Sequence, residues 1–305
     1  MSILVVGSVA LDSVQTPFGK VEDALGGSAT YFAAAASMYT STKLVAVVGD
    51  DFPQEHVDFL RSRQVDLEGL QRVEGKTFRW KGRYDYDLNT AQTLDTQLNV
   101  FATFHPQLPD NFRDAEFVFL ANIDPELQAE VAKQIRKPRL IALDTMNYWI
   151  DYKKDALTNA LSLADIVLMN EAEAREYGTT FSILRAARKI MALGPRAVII
   201  KKGEHGAFMF TANSIFFAPA FPLENVFDPT GAGDSFAGGF IGYLARTGDL
   251  SEANMRRAVM YGSAMGSFAV EKFSTERLMT LTRPEIDARI RELKQLVTFE
   301  EEMPA

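Results

Sequence analysis

Residues 228 to 236 read Asp228-Pro229-Thr230-Gly231-Ala232-Gly233-Asp234-Ser235-Phe236, and the apolar helical segment Ala237–Ala245 follows without a break. A turn of small residues therefore feeds directly into a helix start. The lack of bulk at 231 to 233 lets main-chain N–H groups approach an anion, and the helix N-terminus adds roughly half a positive charge in the same direction. Asp234 stands at that electropositive turn. A carboxylate there can take a proton from a hydroxyl while the neighbouring amides hold the phosphoryl group under attack. An Asp near a helix start is also an ordinary cap, and a Gly-x-Gly turn alone is common. Two features raise this segment above a cap. Gly238 and Gly239 inside the helix each cost about 1 kcal/mol relative to alanine, which marks a close approach to the backbone. Asp228 and Thr230 add oxygens upstream.

Outward from this turn, short runs rich in Val, Ile and Leu alternate with longer segments of helical spacing, the pattern of crossover helices covering a largely parallel sheet. The runs Ile3–Gly7, Leu44–Val48, Phe117–Ala121, Leu140–Asp144, Ile166–Met169 and Val198–Lys201 predict strands. Ala29–Tyr39, Gln54–Arg63, Pro125–Ile135, Lys153–Leu163, Glu171–Tyr177 and Ser182–Leu193 predict helices long enough for right-handed crossovers. Residues 76 to 104 break the alternation: Phe78, Trp80, Gly82 and Tyr84 fall on one parity and Arg79, Lys81 and Arg83 on the other, with a turn near Leu88-Asn89-Thr90. That predicts a small antiparallel sheet projecting from the body, with strands from about 13–24 joining it. The alternative is an ordinary antiparallel edge of the central sheet. Beyond Phe216 the pattern turns mostly helical, through Phe236–Leu244, Met255–Val270 and Ile286–Leu296. Residues 1–305 read as one α/β domain.

Composition narrows the function. The chain has 305 residues, 32 Lys+Arg against 40 Asp+Glu, a formal net charge of −8 and no cysteine. Disulfide frameworks, thiol nucleophiles and zinc ribbons are thereby excluded, and His56, His105 and His205 lie too far apart for metal-ligand spacing. An acidic chain without a Lys/Arg-rich run repels phosphodiester backbones, so nucleic acid is not an expected partner. No stretch of about 18 apolar residues runs together, so no membrane-spanning helix is expected. The start, Met1–Gly7, lacks the basic region of a secretory signal, and a cytoplasmic location is expected.

The stretch DPTGAGDSFAGGF, Asp228 to Phe240, resembles the C-terminal signature of the ribokinase-like, or PfkB, family of carbohydrate and nucleoside kinases. Gly7-Ser8-Val9-Ala10-Leu11-Asp12 and Leu25-Gly26-Gly27-Ser28 match its N-terminal elements, so the resemblance covers essentially the whole chain. It implies a three-layer α/β/α ribokinase-like fold with a mostly parallel central sheet and a small antiparallel β lid. The implied activity is ATP-dependent phosphorylation of a hydroxyl on a small sugar or nucleoside. By the same resemblance Asp234 is the catalytic base, Gly231, Ala232 and Gly233 form the anion hole, and Asp12, Gly26 and Gly27 bind the acceptor.

Behind the strand Ile166–Met169, Asn170-Glu171-Ala172-Glu173 is similar to the family's Asn-x-x-Glu element, which organises Mg²⁺ and phosphates. Glu173 would act through water, as suits a cation that keeps its hydration shell. Asn170 and Glu173 equally fit a capping box, a reading that the other motifs outweigh. Val198–Gly206 is similar to the segment that lies along the nucleotide, giving Lys202, Gly203 and Gly206 as ATP contacts, although two lysines at a strand end can also be merely solvated. The helix around Ser263 resembles the one bordering adenine in relatives. Asp228 and Thr230 match positions tied to monovalent-cation activation, so K⁺ is a candidate ligand beside ATP and Mg²⁺. A homodimer through the lid is a candidate assembly.

One departure bears on the acceptor. Many sugar kinases of the family carry Gly-Gly-x-x-x-Asn, whereas this chain reads Gly26-Gly27-Ser28-Ala29-Thr30-Tyr31. A phenol replaces an amide that both donates and accepts, so one sugar-hydroxyl contact is lost or rebuilt. With Phe78, Trp80 and Tyr84 on the lid, Tyr31 points to an acceptor bearing a flat group, such as a nucleoside. Asn122 and Asn147, near the ends of the third and fourth large strands, join the acceptor-side residues. Two rival readings are weaker. A dinucleotide-binding oxidoreductase needs Gly-x-Gly-x-x-Gly after the first strand, where residues 7 to 12 read GSVALD. A non-catalytic sugar or nucleotide sensor on the same fold would have no use for a base at Asp234.

Overall fold

A strand buried on both faces needs apolar side chains on both parities, and Ile3-Leu4-Val5-Val6 supplies them. In the computed structural model, which describes residues 1–300, Ile3 and Val5 join one core with Phe32 and Phe240, and Leu4 and Val6 join another with Val118, Val131 and Leu157. The chain begins β1 (Ile3–Val6), β2 (Ala10–Thr16), β3 (Gly19–Gly26), α1 (Ser28–Ala36), β4 (Thr42–Val48), α2 (Gln54–Ser62) and β5 (Val65–Arg72). It continues β6 (Arg79–Tyr84), β7 (Ala91–Gln97), β8 (Phe117–Leu120), α3 (Pro125–Gln134), β9 (Leu140–Asp144), α4 (Asn147–Tyr152) and α5 (Lys154–Ser162). Then follow β10 (Ile166–Asn170), α6 (Glu171–Gly178), α7 (Ile183–Met191), β11 (Ala197–Lys201), β12 (Ala207–Thr211) and β13 (Ile215–Ala218). A helical end closes it: α8 (Ala232–Thr247), α9 (Glu252–Ala269), α10 (Glu276–Thr280) and α11 (Arg283–Leu296).

The large sheet has nine strands in the order β13-β12-β11-β10-β9-β8-β1-β4-β5. All of its pairings are parallel except β11–β12 and β12–β13. Helices α1, α8 and α9 cover one face, and α3, α5 and α7 pack on the other. The three-layer α/β/α architecture with a mostly parallel central sheet expected from the sequence is therefore the one found. β5, β12 and β13 are additions to the predicted strands. β5 is an edge strand whose Asp66, Glu68 and Gln71 interrupt the apolar run, and β12–β13 form a hairpin with no crossover helix to frame them.

The second sheet has four strands, β3-β2-β6-β7. Its outer pairs, β2–β3 and β6–β7, are antiparallel hairpins, and β2 and β6 join them in parallel. The lid begins earlier and stops earlier than expected, from Ala10 and to Gln97, because Asn99–Thr103 winds into a 3₁₀ turn. Parallel neighbours end on the same edge. Asn122, Asp144, Asn170 and Lys201 thus gather at the carboxyl ends of β8, β9, β10 and β11, the edge where ligands bind in open α/β sheets. Among the described residues no helix is long and apolar enough to cross a membrane.

Candidate active site

Gly231 caps α8 with a left-handed backbone, φ 73°, and lies flat against the ring of Tyr31, which is 1% exposed. A Cβ at 231 would fall closer than 3.0 Å to three ring carbons of Tyr31, so both the turn and its floor require glycine here. Ala232, Gly233 and Asp234 then form the first turn of α8. The glycines further along serve helix packing: Gly238 meets Phe32 and Ala35 of α1, and Gly239 meets Tyr261 and Met265 of α9. The close approach that their presence signals is therefore by neighbouring helices. That three-helix contact fixes the direction of α8 and so the position of its first turn.

Beneath the turn lies a charge cluster that only the sheet order assembles. Lys201, the last residue of β11, donates from Nζ to Asp144 Oδ2 at 2.6 Å, reaching across the end of β10. Both side chains are largely buried, 15% and 6% exposed. Nζ also lies 2.9 Å from where a Cβ on Gly233 would stand. Burial, reinforced by the negative charge of Asp144 and opposed by Lys201, pushes the Asp234 carboxyl up to about 8. Burial and Asp144 raise Glu173 in the same way. Burial works against the Lys201 ammonium, yet Asp144, Glu173 and Asp234 together hold it above the ordinary lysine range. Sequence reading singled out neither Asp144 nor Lys201 as a site residue. The available signal was a charged residue closing each of two apolar strands at the carboxyl edge of a parallel sheet.

On the acceptor side, Asp12 is buried and accepts from the Gly27 amide at 3.3 Å. Burial pushes it up to about 7, partly offset by that amide. Gly26 lies directly against the Asp12 carboxylate, so the Gly26-Gly27 pair makes room for it. Tyr31 is brought to the site differently from the sequence expectation: its ring supports Gly231 and presents no open face. Its hydroxyl stands in the field of Asp228, Asp12, Tyr84 and Asp234, which adds to burial in holding its pKa well above 10. Asn122 is half-buried, accepting at Oδ1 from Trp149 Nε1 at 2.8 Å. Asn147 opens α4 as an exposed residue, and no hydrogen bond among the described residues draws its side chain toward Asp12 or Asp234.

The lid closes this side. Trp80 is the β6 register partner of Asp12, so the two side chains leave the lid on the same face. The indole lies across Gly82 and donates to Thr93 Oγ1 at 3.2 Å. Tyr84 is buried, and its hydroxyl accepts from Thr230 Oγ1 at 3.4 Å, tying lid to signature turn. At the lid tip, Asn89 sits against Gly203, just beyond the end of β11.

On the nucleotide side, Asn170 and Glu173 realise the capping box in full. Asn170 Oδ1 accepts from the Glu173 amide at 2.8 Å, and Glu173 accepts from the Asn170 amide at 2.8 Å and from Nδ2 at 2.7 Å. Lys202 Nζ turns to Glu171 at 3.3 Å, away from the cluster that Lys201 enters. Gly203 and Gly206 bound a 3₁₀ turn closed by the Lys202 amide donating to the Gly206 carbonyl at 2.8 Å. Ser263 is buried on α9 beside Gly262, which packs on Phe236. Asp228 is buried, accepts from the amides of Thr230 at 2.9 Å and Ser274 at 3.0 Å, and has no ion-pair partner among the described residues.

A lidded parallel sheet with a glycine-rich helix start at its carboxyl edge is the architecture of small-molecule kinases of the ribokinase type. Residues 2–281 match the sequence profile of the pfkB family carbohydrate kinases, and the chain belongs to that family. It is a phosphotransferase acting on sugars or nucleosides, with ATP use implied by the family. A cytidine kinase of Thermococcus kodakarensis is 30% identical over 257 residues, spanning 83% of this chain and 91% of that protein. A nucleoside kinase of Methanothermobacter thermautotrophicus is 27% identical over 300 residues, spanning 90% and 91%. The fold matches the structure of Burkholderia thailandensis nucleoside kinase in complex with inosine with a TM-score of 0.77 at 21% identity, over 95% of this chain and 97% of that one.

Proposed function

We propose that the chain transfers the γ-phosphoryl group of ATP to a hydroxyl on the sugar of a nucleoside. One observation carries the reading: the Asp234 carboxyl stands in the first turn of α8 beside the Gly231, Ala232 and Gly233 amides, within the electrostatic field of the buried carboxyl of Asp12. Asp12 accepts from an acceptor hydroxyl and orients it. Asp234 takes the proton of the attacking hydroxyl as its oxygen bonds to the γ-phosphorus. The bond from that phosphorus to the β–γ bridging oxygen breaks, and the electron pair leaves with ADP. The Gly231 and Gly233 amides hold the non-bridging oxygens meanwhile, whereas the Ala232 amide donates to the Pro229 carbonyl at 3.2 Å and would have to release it to join them. Phosphoryl transfer asks mainly for positioning and charge stabilisation, so these groups suffice.

The donor set near Asn170 fits a hydrated Mg²⁺ rather than a protein cage. Glu173 offers hard oxygens already steadied by Asn170, and no three His, Asp or Glu converge on one metal position among the described residues. When bound with ATP the ion neutralises phosphate charge, and Glu173 and Asn170 would bond its water. Asp228, buried without a cationic partner, fits a monovalent cation such as K⁺ near Thr230. A nucleoside acceptor is favoured by the relatives named cytidine kinase and nucleoside kinase and by Trp80, a flat side chain on the Asp12 face of the lid. The exposed edge strand β7 suits pairing with a second copy, and ATP as donor suits a cytoplasmic location.

The test is ADP formation from Mg·ATP with a panel of nucleosides and free sugars. Nucleosides are expected to exceed free sugars in kcat/KM by at least about tenfold, equivalent to roughly 1.4 kcal/mol of extra transition-state binding. Better turnover of free sugars refutes the nucleoside assignment, and tight binding without ADP favours the sensor. Asp234→Asn should keep ATP binding and lose at least ~10² in turnover, the usual effect of removing a positioned base. Near-normal turnover in that variant removes Asp234 from the role.

A further inference from the structure

Lys201 has more hydrogen-bonding capacity than its surroundings use. An ammonium carries three donors, and among the described residues Lys201 Nζ spends one, on Asp144 Oδ2 at 2.6 Å. The side chain is 15% exposed, so the remaining donors are not simply bathed in solvent. They lie under the first turn of α8, with Nζ 2.9 Å from the position of a Cβ on Gly233. The charge balance points the same way. Asp144, Glu173 and Asp234 all act on this single cation, and the buried carboxyl of Asp12 acts in turn on Asp234. Lys202, the neighbouring lysine, is engaged with Glu171 outside the cluster. A phosphoryl group entering among these carboxyls meets repulsion unless a fixed cation is already in place.

We infer that Lys201 is the catalytic cation of this site: pinned by Asp144 beneath the Gly233 turn, its Nζ bonds a non-bridging oxygen of the phosphoryl group during transfer. The inference rests on the kinase reading given above and goes beyond it by assigning this lysine and its holder. Asp144 is the positioning residue, since it touches Lys201 and fixes where the ammonium points. The contact strengthens as charge builds on the phosphoryl oxygens, so its loss appears mainly in kcat.

The experiment compares the parent with Lys201→Met, Lys201→Arg and the double variant Asp144→Asn/Lys201→Met, each checked for folding by its thermal midpoint. Lys201→Met is expected to lose roughly 10²–10³ in kcat, the range for a single preorganised donor in such a site, with KM for ATP and acceptor changed by less than about fivefold. Lys201→Arg should recover at least about tenfold of that loss, because it restores a charge. The double variant removes the buried pair together, so it should regain thermal stability and remain as slow as Lys201→Met. A kcat for Lys201→Met within about fivefold of the parent, or recovery of turnover in the double variant, overturns the inference while leaving the kinase reading intact. Absence of ADP from the parent with every acceptor overturns both.

Discussion

Gly231→Ala probes the packing on which the signature turn rests. At φ 73° an alanine incurs roughly 1–2 kcal/mol for the left-handed backbone. Its methyl would also fall closer than 3.0 Å to the ring of Tyr31, a side chain 1% exposed and unable to swing into solvent. Overpacking of that kind costs about 1–3 kcal/mol. The sum, about 2–5 kcal/mol, is a large share of the 5–15 kcal/mol typical of a folded protein. Denaturant titration of the parent, Gly231→Ala, Tyr31→Leu and the double variant separates the two contributions. Tyr31→Leu opens the space that the methyl needs, so the cycle should show a favourable coupling of about 1–3 kcal/mol, while the backbone cost remains. Loss of less than about 1 kcal/mol in Gly231→Ala, or coupling below about 0.5 kcal/mol, would refute the claim that Tyr31 is the floor of the turn. Because the shifted backbone carries the anion-binding amides, turnover should fall more than acceptor KM rises.

Three further outcomes follow from the electrostatics and the lid. With Asp234 raised to about 8, kcat/KM should climb with pH and level off near that value, and a profile already flat at the ordinary carboxylate range would contradict it as base. The same raised pKa means that the folded protein holds this proton more tightly than the unfolded chain, whose value is near 3.8. The stability it contributes is full below that value and is lost as the pH rises through about 8. Asp234→Asn abolishes this term, so its thermal midpoint relative to the parent should increase with pH, and a constant difference would count against the shift. Trp80→Ala should raise acceptor KM by up to about tenfold, from the roughly 0.5–1.5 kcal/mol of a ring contact, and leave ATP KM unchanged. An unchanged acceptor KM would remove Trp80 from the acceptor pocket.

Much of the architecture was legible because its signals are local. Ile3–Val6, Phe117–Leu120 and Leu140–Asp144 are apolar on both parities, which is the demand of a strand covered on both faces, and Arg79–Tyr84 alternates because one face of the lid is solvated. The turn at Gly231–Asp234 was legible for the same reason: small residues, a carboxylate and an apolar helix lie consecutively in the chain. Edges were harder. β5 pairs on one side only, so its charged and exposed positions blur the apolar pattern, and the short β12–β13 hairpin, though apolar, has no crossover helix to frame it.

By itself the sequence determined most of the elements, the parallel sheet and the chemistry of one continuous segment, since each depends on residues close in the chain. Only the tertiary structure decided which distant side chains meet. Strand order brings Lys201 across the end of β10 to Asp144 and turns Lys202 to Glu171, while the packing of α1 on α8 lays Tyr31 under a glycine two hundred positions away. A strand's carboxyl end gives no sign of which strands will flank it. The electrostatics of a buried site depend on those neighbours, and packing chooses them.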